Sequence, residues 1–366
     1  MTEVKDWRRR RVRFLLTKAE RHLDKVTEDK EFWRPRFCLA FFDWCDDNAF
    51  DAPDLAVKRA SVAVELAEKT NSRHLTCRAM GVLVSGHRMV SEFEEAKRVL
   101  KEALALADGC SCCLCDLYRR KGLLHLYQSE NEEAHRFFNA AITEYEKVDD
   151  YDGVGRALVS RGISHFYLAS VDAALADEDR ALQLLSSESP QIYHLAALNN
   201  IAGFLALGDD HHFFRASQHL ASFRETLKGV VGFSSVRVRL RWIDGLILAR
   251  LGDYRPAVQM LENAQGALIR LRQDPEVVAI SADLAMLYHE RSNYPAIVRI
   301  ANNCLRTLPV CGKVRALLAK LARSAARETK RTLKIITALR CAVDVPVPCL
   351  IQVISDRKFS NPGPST

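Results

Sequence analysis

No stretch of this 366-residue sequence approaches the roughly 18 consecutive apolar residues that a helix needs to cross a bilayer, so no membrane-spanning helix is expected. The N-terminus carries basic residues but neither the apolar core nor the small-residue cleavage site of a signal peptide, and the expected location is the cytoplasm. Motifs of chemistry are missing as well. There is no GxxxxGK(S/T) phosphate loop, no HExxH zinc helix and no GxSxG nucleophile elbow, so an enzyme is not expected and no cofactor is implied. His211 and His212 are adjacent and diverge on a helix, while His219, two turns beyond His212, has no acid placed to complete a site.

The eleven cysteines are odd in number and lack secretory context, which argues for reduced thiols, several of them packed as small hydrophobes. Four crowd into GCSCCLC as Cys110, Cys112, Cys113 and Cys115, a group able to hold a soft metal or to sense redox state. No CxxC or HxxxH partner accompanies them to complete a tetrahedral site, so packing or incidental thiols are the expectation and no metal site is assigned, with metal binding and redox sensing left open as equal alternatives.

What is present is ordinary in bulk and periodic in detail. Hydrophobic residues make up 48% and charged residues 27%, as in a water-soluble globular chain, yet 366 residues is long for a single core. A repeat array escapes that limit because each unit buries its apolar face only against its neighbours. The basic charge gathers at the two ends: residues 1–36 hold twelve Lys and Arg against seven Asp and Glu, and residues 313–340 hold nine against the single acid Glu328. Polar capping of a repeat array explains this, and an electrostatic contact with an acidic partner is the sharper alternative. Neither end interleaves aromatics with its cations, which disfavours single-stranded nucleic acid.

The clearest unit is residues 115–146, where Gly122, Ala134, Phe138 and Ala141 follow a small, small, aromatic, small order. Corresponding residues recur along the chain. Gly81 is followed by Ala96, Leu100 and Ala103; Gly162 by Ala174, Glu178 and Ala181; Gly245 by Ala257, Leu261 and Ala264; Ala285 by Ala296 and Ile300. In the unit of Ala202 the pattern slips by a residue or two, with Phe214, Ala216 and Phe223. Gly122, Gly162, Ala202, Gly245 and Ala285 lie 40, 40, 43 and 40 residues apart.

This order resembles the tetratricopeptide repeat, which implies an all-α, right-handed α-solenoid of helical hairpins. The interval exceeds the roughly 34 residues of the standard unit, so helices lengthened by about a turn, or fuller loops such as VDDYDG and SSESPQ, are expected. Units of this length resemble the solenoids of bacterial regulatory proteins. The expected organisation is a basic capping helix over 1–30, about seven hairpins over 31–310, a basic capping hairpin over 311–342, and a Pro-containing tail over 343–366. The aromatics Phe32, Trp33, Phe37, Phe41, Phe42 and Trp44 read as core of the first hairpin.

In the family resembled, the first helix of each hairpin lines a concave binding face. The residues opposite the Gly/Ala contact are then Arg78, Arg119, Arg156, Phe166, Asn199, Asn200, Arg239 and Trp242. Guanidinium forks pair with carboxylates, amides hold an extended backbone, and an indole anchors an apolar side chain. The family's carboxylate clamp is not matched, since Val159 and Ile243 stand where bases are required. The expected function is therefore a non-enzymatic adaptor or regulator that binds a protein or peptide partner, an effector encoded nearby being the natural candidate. The alternative is a peptide-sensing module of a transcription-regulatory system.

Overall fold

The computed structural model describes residues 14–49, 52–186, 191–208, 210–228, 234–308, 310, 312–329 and 331–342; the tail and most of the N-terminal basic segment lie outside them. Described residues form an all-α solenoid without strands. None of their helices is long and apolar enough to cross a membrane. The chain divides into two compact units, 1–197 and 198–366.

In the first unit, α1 (residues 14–21) and two short 3-10 turns precede four hairpins. These are α2 (Pro35–Ala49) with α3 (Pro53–Lys69), α4 (Arg73–Met89) with α5 (Phe93–Ala107), α6 (Ser111–Tyr127) with α7 (Asn131–Lys147), and α8 (Tyr151–Tyr167) with α9 (Val171–Leu184). Consecutive helices pack together, and the first helices also stack, α2 on α4, α4 on α6 and α6 on α8. The core is correspondingly a series of local clusters, each shared by neighbouring hairpins. Phe32, Phe37, Phe41 and Trp44 form a ring ladder with centroids 5.0–5.8 Å apart within the first of them, as expected of core aromatics.

The 40-residue interval has a simple origin. Both α6 and α7 contain 17 residues, and turns of three residues follow each, at 128–130 and 148–150. The extra length is helix, and only the first half of VDDYDG is turn: Asp150 caps α8 by accepting a hydrogen bond from the Gly153 N–H at 2.7 Å, and the helix starts at Tyr151. Each turn closes through one residue with left-handed backbone, Ser129, Asp149 and Ala169 in successive turns (φ 59°, 55° and 59°). Gly122 sits where α6 and α7 cross, and a Cβ there would lie 2.5 Å from the Phe138 ring and 3.1 Å from the Ala134 carbonyl oxygen. The small residues of the repeat are thus packing residues.

The boundary between the units falls within α10 (Gln191–Leu207). The second unit continues with α11 (Asp210–Lys228), α12 (Ser234–Leu251), α13 (Tyr254–Arg270), α14 (Asp274–Glu290), α15 (Tyr294–Thr307), α16 (Gly312–Ala326) and α17 (Thr332–Cys341). Its core is organised around α14, in which every residue from Glu276 to Tyr288 is buried. Helix α16 packs on α15 while α17 returns to α14, so the last four helices close on themselves as a bundle. The basic residues Lys313, Arg315, Lys320, Arg323, Arg327, Arg331 and Lys334 are exposed on this terminal pair.

Candidate partner-binding site

The stacked first helices of the first unit enclose a cavity of about 250 Å³. Asp43 and Asp46 come from α2, His74, Cys77 and Arg78 from α4, and Cys112, Cys113, Asp116, Arg119 and Arg120 from α6. Tyr145 and Val148 close it from the end of α7, Asp150 and Arg156 from the start of α8, and Tyr193 from α10. Four guanidinium groups therefore face four carboxylates in a space that is also lined by two phenols.

Asp116 is the centre of this network. Its Oδ1 accepts hydrogen bonds from Arg119 Nη2 (2.7 Å), Arg119 Nε (3.2 Å) and the Tyr145 hydroxyl (3.3 Å), and its Oδ2 from Arg120 Nε (2.6 Å). Arg120 reaches on to α2, where Nη1 and Nη2 donate to the two oxygens of Asp46 at 3.0 and 2.7 Å, and Nη1 also donates to Ser85 Oγ at 2.7 Å. Burial alone pushes the Asp116 carboxyl up, but the charges of Arg120, Arg119 and Arg78 overcome this and hold it well below the usual carboxylate range. The pair Arg78 and Asp43 meets at 2.7 Å. Burial nonetheless raises Asp43, Arg78 opposing and Asp46 reinforcing the shift. Beside them Asp47, with one buried oxygen lacking a hydrogen-bond partner, is raised to about 7 by burial and by Asp46 and Asp43.

Arg119 and Arg156 both approach one aromatic ring. Their guanidinium carbons stand 5.5 and 6.0 Å from the centroid of Tyr193, and Arg156 lies 5.7 Å from that of Tyr145. The ion pair of Arg156 with Asp150 is long, at 3.3 Å.

Of the residues expected on a binding face, Arg78, Arg119 and Arg156 are brought together in this cavity. Arg119 is only 3% exposed and lines it from within the protein interior, so the expectation of an open surface residue is corrected. Phe166 is buried core, edge-on to Tyr167 at 5.9 Å. Within the second unit, Trp242 is fully buried and its indole N–H donates to Asp283 Oδ2 at 2.9 Å, because α14 covers this side of α12; it cannot serve as a surface anchor. Arg239 is partly buried and paired with Glu276 at 2.5 Å. Asn199 is buried and Asn200 partly so.

Sequence reasoning passed over Asp43, Asp46, Asp116, Asp150, Tyr145 and Tyr193, whose acidic members look like ordinary solvated helix residues. Their signal is the spacing: Asp43 with Arg78, and Ser85 with Arg120, are each 35 residues apart, close to one repeat, so they face each other across stacked helices. His74 was missed in the same way; its Nδ1 stands 3.7 Å from Cys113 Sγ. Comparison of the chain with protein-family models gives no match, and comparison with curated proteins gives none.

Proposed function

We propose that the chain is a non-enzymatic adaptor or regulator, a tetratricopeptide-like solenoid whose first unit binds a protein or peptide segment of acidic character in the cavity between its first helices. The observation that carries this reading is the convergence of Arg78, Arg119, Arg120 and Arg156 from three stacked helices on one cavity. Arg119 and Arg156 bear like charge within 6.0 Å of the Tyr193 ring; Arg119 shares its carboxylate, Asp116, with Arg120, and Arg156 meets Asp150 at 3.3 Å. An incoming carboxylate would accept hydrogen bonds from Arg156 without breaking the tight Arg120 pairs, while Tyr193 and Leu117 offer apolar area beside it.

The reading is tested by capture from a native lysate with immobilised wild type and with Arg78→Ala/Arg156→Ala, two side chains at the cavity that are not fully buried. A protein retained by the wild type, released by salt and lost by the variant supports it. Retention that is identical for both, with both folded by circular dichroism, overturns it.

A further inference from the structure

We propose that His74, Cys112 and Cys113, completed by Cys110, form a binding site for one zinc ion at the junction of α4 and α6. His74, Cys112 and Cys113 also line the cavity of the partner-binding reading, but metal binding does not depend on that reading and has its own readout.

Three of the four side chains come from equivalent places in two stacked first helices. His74 is the second residue of α4, and Cys112 and Cys113 are the second and third of α6. A ring nitrogen of His74 and the two sulfurs all lie within 4.8 Å of one another. A tetrahedral zinc with bonds of about 2.0 Å to nitrogen and 2.3 Å to sulfur needs an N···S edge of about 3.6 Å, and the Cys113 Sγ to His74 Nδ1 separation is 3.7 Å. The fourth donor is at hand. Cys110 precedes the helix as its N-cap, with its sulfur 2.8 Å from that of Cys112. Opening that pair to the S···S edge of about 3.8 Å completes a Cys3His set. The movement is local, because Cys110 and Cys112 are exposed and the preceding Asp108 and Gly109 form a turn with nothing near the Gly109 Cβ position.

Neighbouring contacts hold the two helices in register for this purpose. Arg73, beside His74, donates to the Leu106 carbonyl and pairs with Asp108 Oδ2 at 3.4 Å, tying the start of α4 to the end of α5 and the turn before α6. On binding, three S–H protons leave to solvent as three Zn–S bonds form, and the neutral imidazole contributes a lone pair. The resulting centre carries one negative charge, next to Arg73 and Arg78. No oxidation is involved, whereas joining Cys110 to Cys112 as a disulfide would need an external oxidant.

The test uses the reduced full chain, loaded with zinc, desalted and measured for metal content, with affinity from competition against a chromophoric chelator. Cobalt(II) replaces zinc for spectroscopy. We expect one equivalent of zinc and a cobalt spectrum with thiolate charge-transfer and intense tetrahedral d–d bands. His74→Ala and Cys112→Ser, both at exposed positions, are each expected to weaken binding at least ten-fold, as is Cys110→Ser, while Cys304→Ser in the second unit leaves it unchanged. Less than a tenth of an equivalent of zinc, a cobalt spectrum without thiolate bands, or affinity indifferent to His74→Ala would overturn the proposal. Affinity indifferent to Cys110→Ser would overturn its four-ligand form.

Discussion

Removing Asp116 tests whether the cavity's polar network is a coupled unit. In Asp116→Ala, Arg120 keeps both oxygens of Asp46 and the Ser85 hydroxyl, whereas Arg119 loses both of its hydrogen bonds to carboxylate while remaining 3% exposed. Stranding one partner of a buried ion pair costs about 3–5 kcal/mol, and here nearly all of that falls on Arg119. Arg119→Met alone is expected to cost less, because Asp116 retains Arg120 and Tyr145. The double variant should then be less destabilised than the sum of the two by about 2 kcal/mol. Urea unfolding followed by circular dichroism reads this, taking the transition of the first unit where two are resolved. Because the folded carboxyl of Asp116 lies below its unfolded value, its contribution is fully present above the ordinary carboxylate range and is lost only as pH falls through the folded value. The penalty of Asp116→Ala should therefore be the same at pH 5 and pH 8. A coupling energy under about 0.5 kcal/mol would show that Arg119 and Asp116 do not depend on each other, and the network reasoning would fail.

Asp47 gives the opposite pH response. Its folded value, about 7, lies above the unfolded one, so the wild type loses stability as pH rises toward 7, by about 2 kcal/mol between pH 5 and pH 7; Asp47→Asn should remove that slope in paired denaturant titrations, and a slope shared by both proteins contradicts the assignment. Ala169 holds a left-handed backbone at φ 59°, and Ala169→Gly should stabilise the chain by about 0.5–1 kcal/mol, read as a higher melting temperature. Gly122→Ala should destabilise by about 1–3 kcal/mol as its new methyl meets the Phe138 ring, with Phe138→Leu recovering part of the loss.

The fold was legible because the packing that builds it leaves a periodic trace. Gly122, Ala134 and Phe138 must be small, small and large for α6 to cross α7, and that requirement recurs every repeat. Helix starts were less legible: Asp150 and Ser72 cap α8 and α4 a few residues before the apolar pattern begins. The site was half legible. Arg78, Arg119 and Arg156 stand out as cations on first helices, but whether such a residue faces water or a buried counter-ion depends on which helix stacks over it. Arg119 and Trp242 are both covered, by groups lying 74 and 41 residues away in Tyr193 and Asp283. The four-helix closure in which α17 returns to α14 leaves no repeat signature at all, since it interrupts the regular stacking.

The central claim, that a partner engages the cavity of the first unit, is tested most directly by a photo-crosslinking residue placed at Val148, which is 38% exposed and lines the cavity, and for comparison at Leu55, 43% exposed on the second helix α3. In native lysate the account predicts a discrete adduct from position 148, absent from position 55 and abolished by Arg156→Ala. An adduct from position 55 alone, or one from position 148 that persists unchanged with Arg156→Ala, would contradict it.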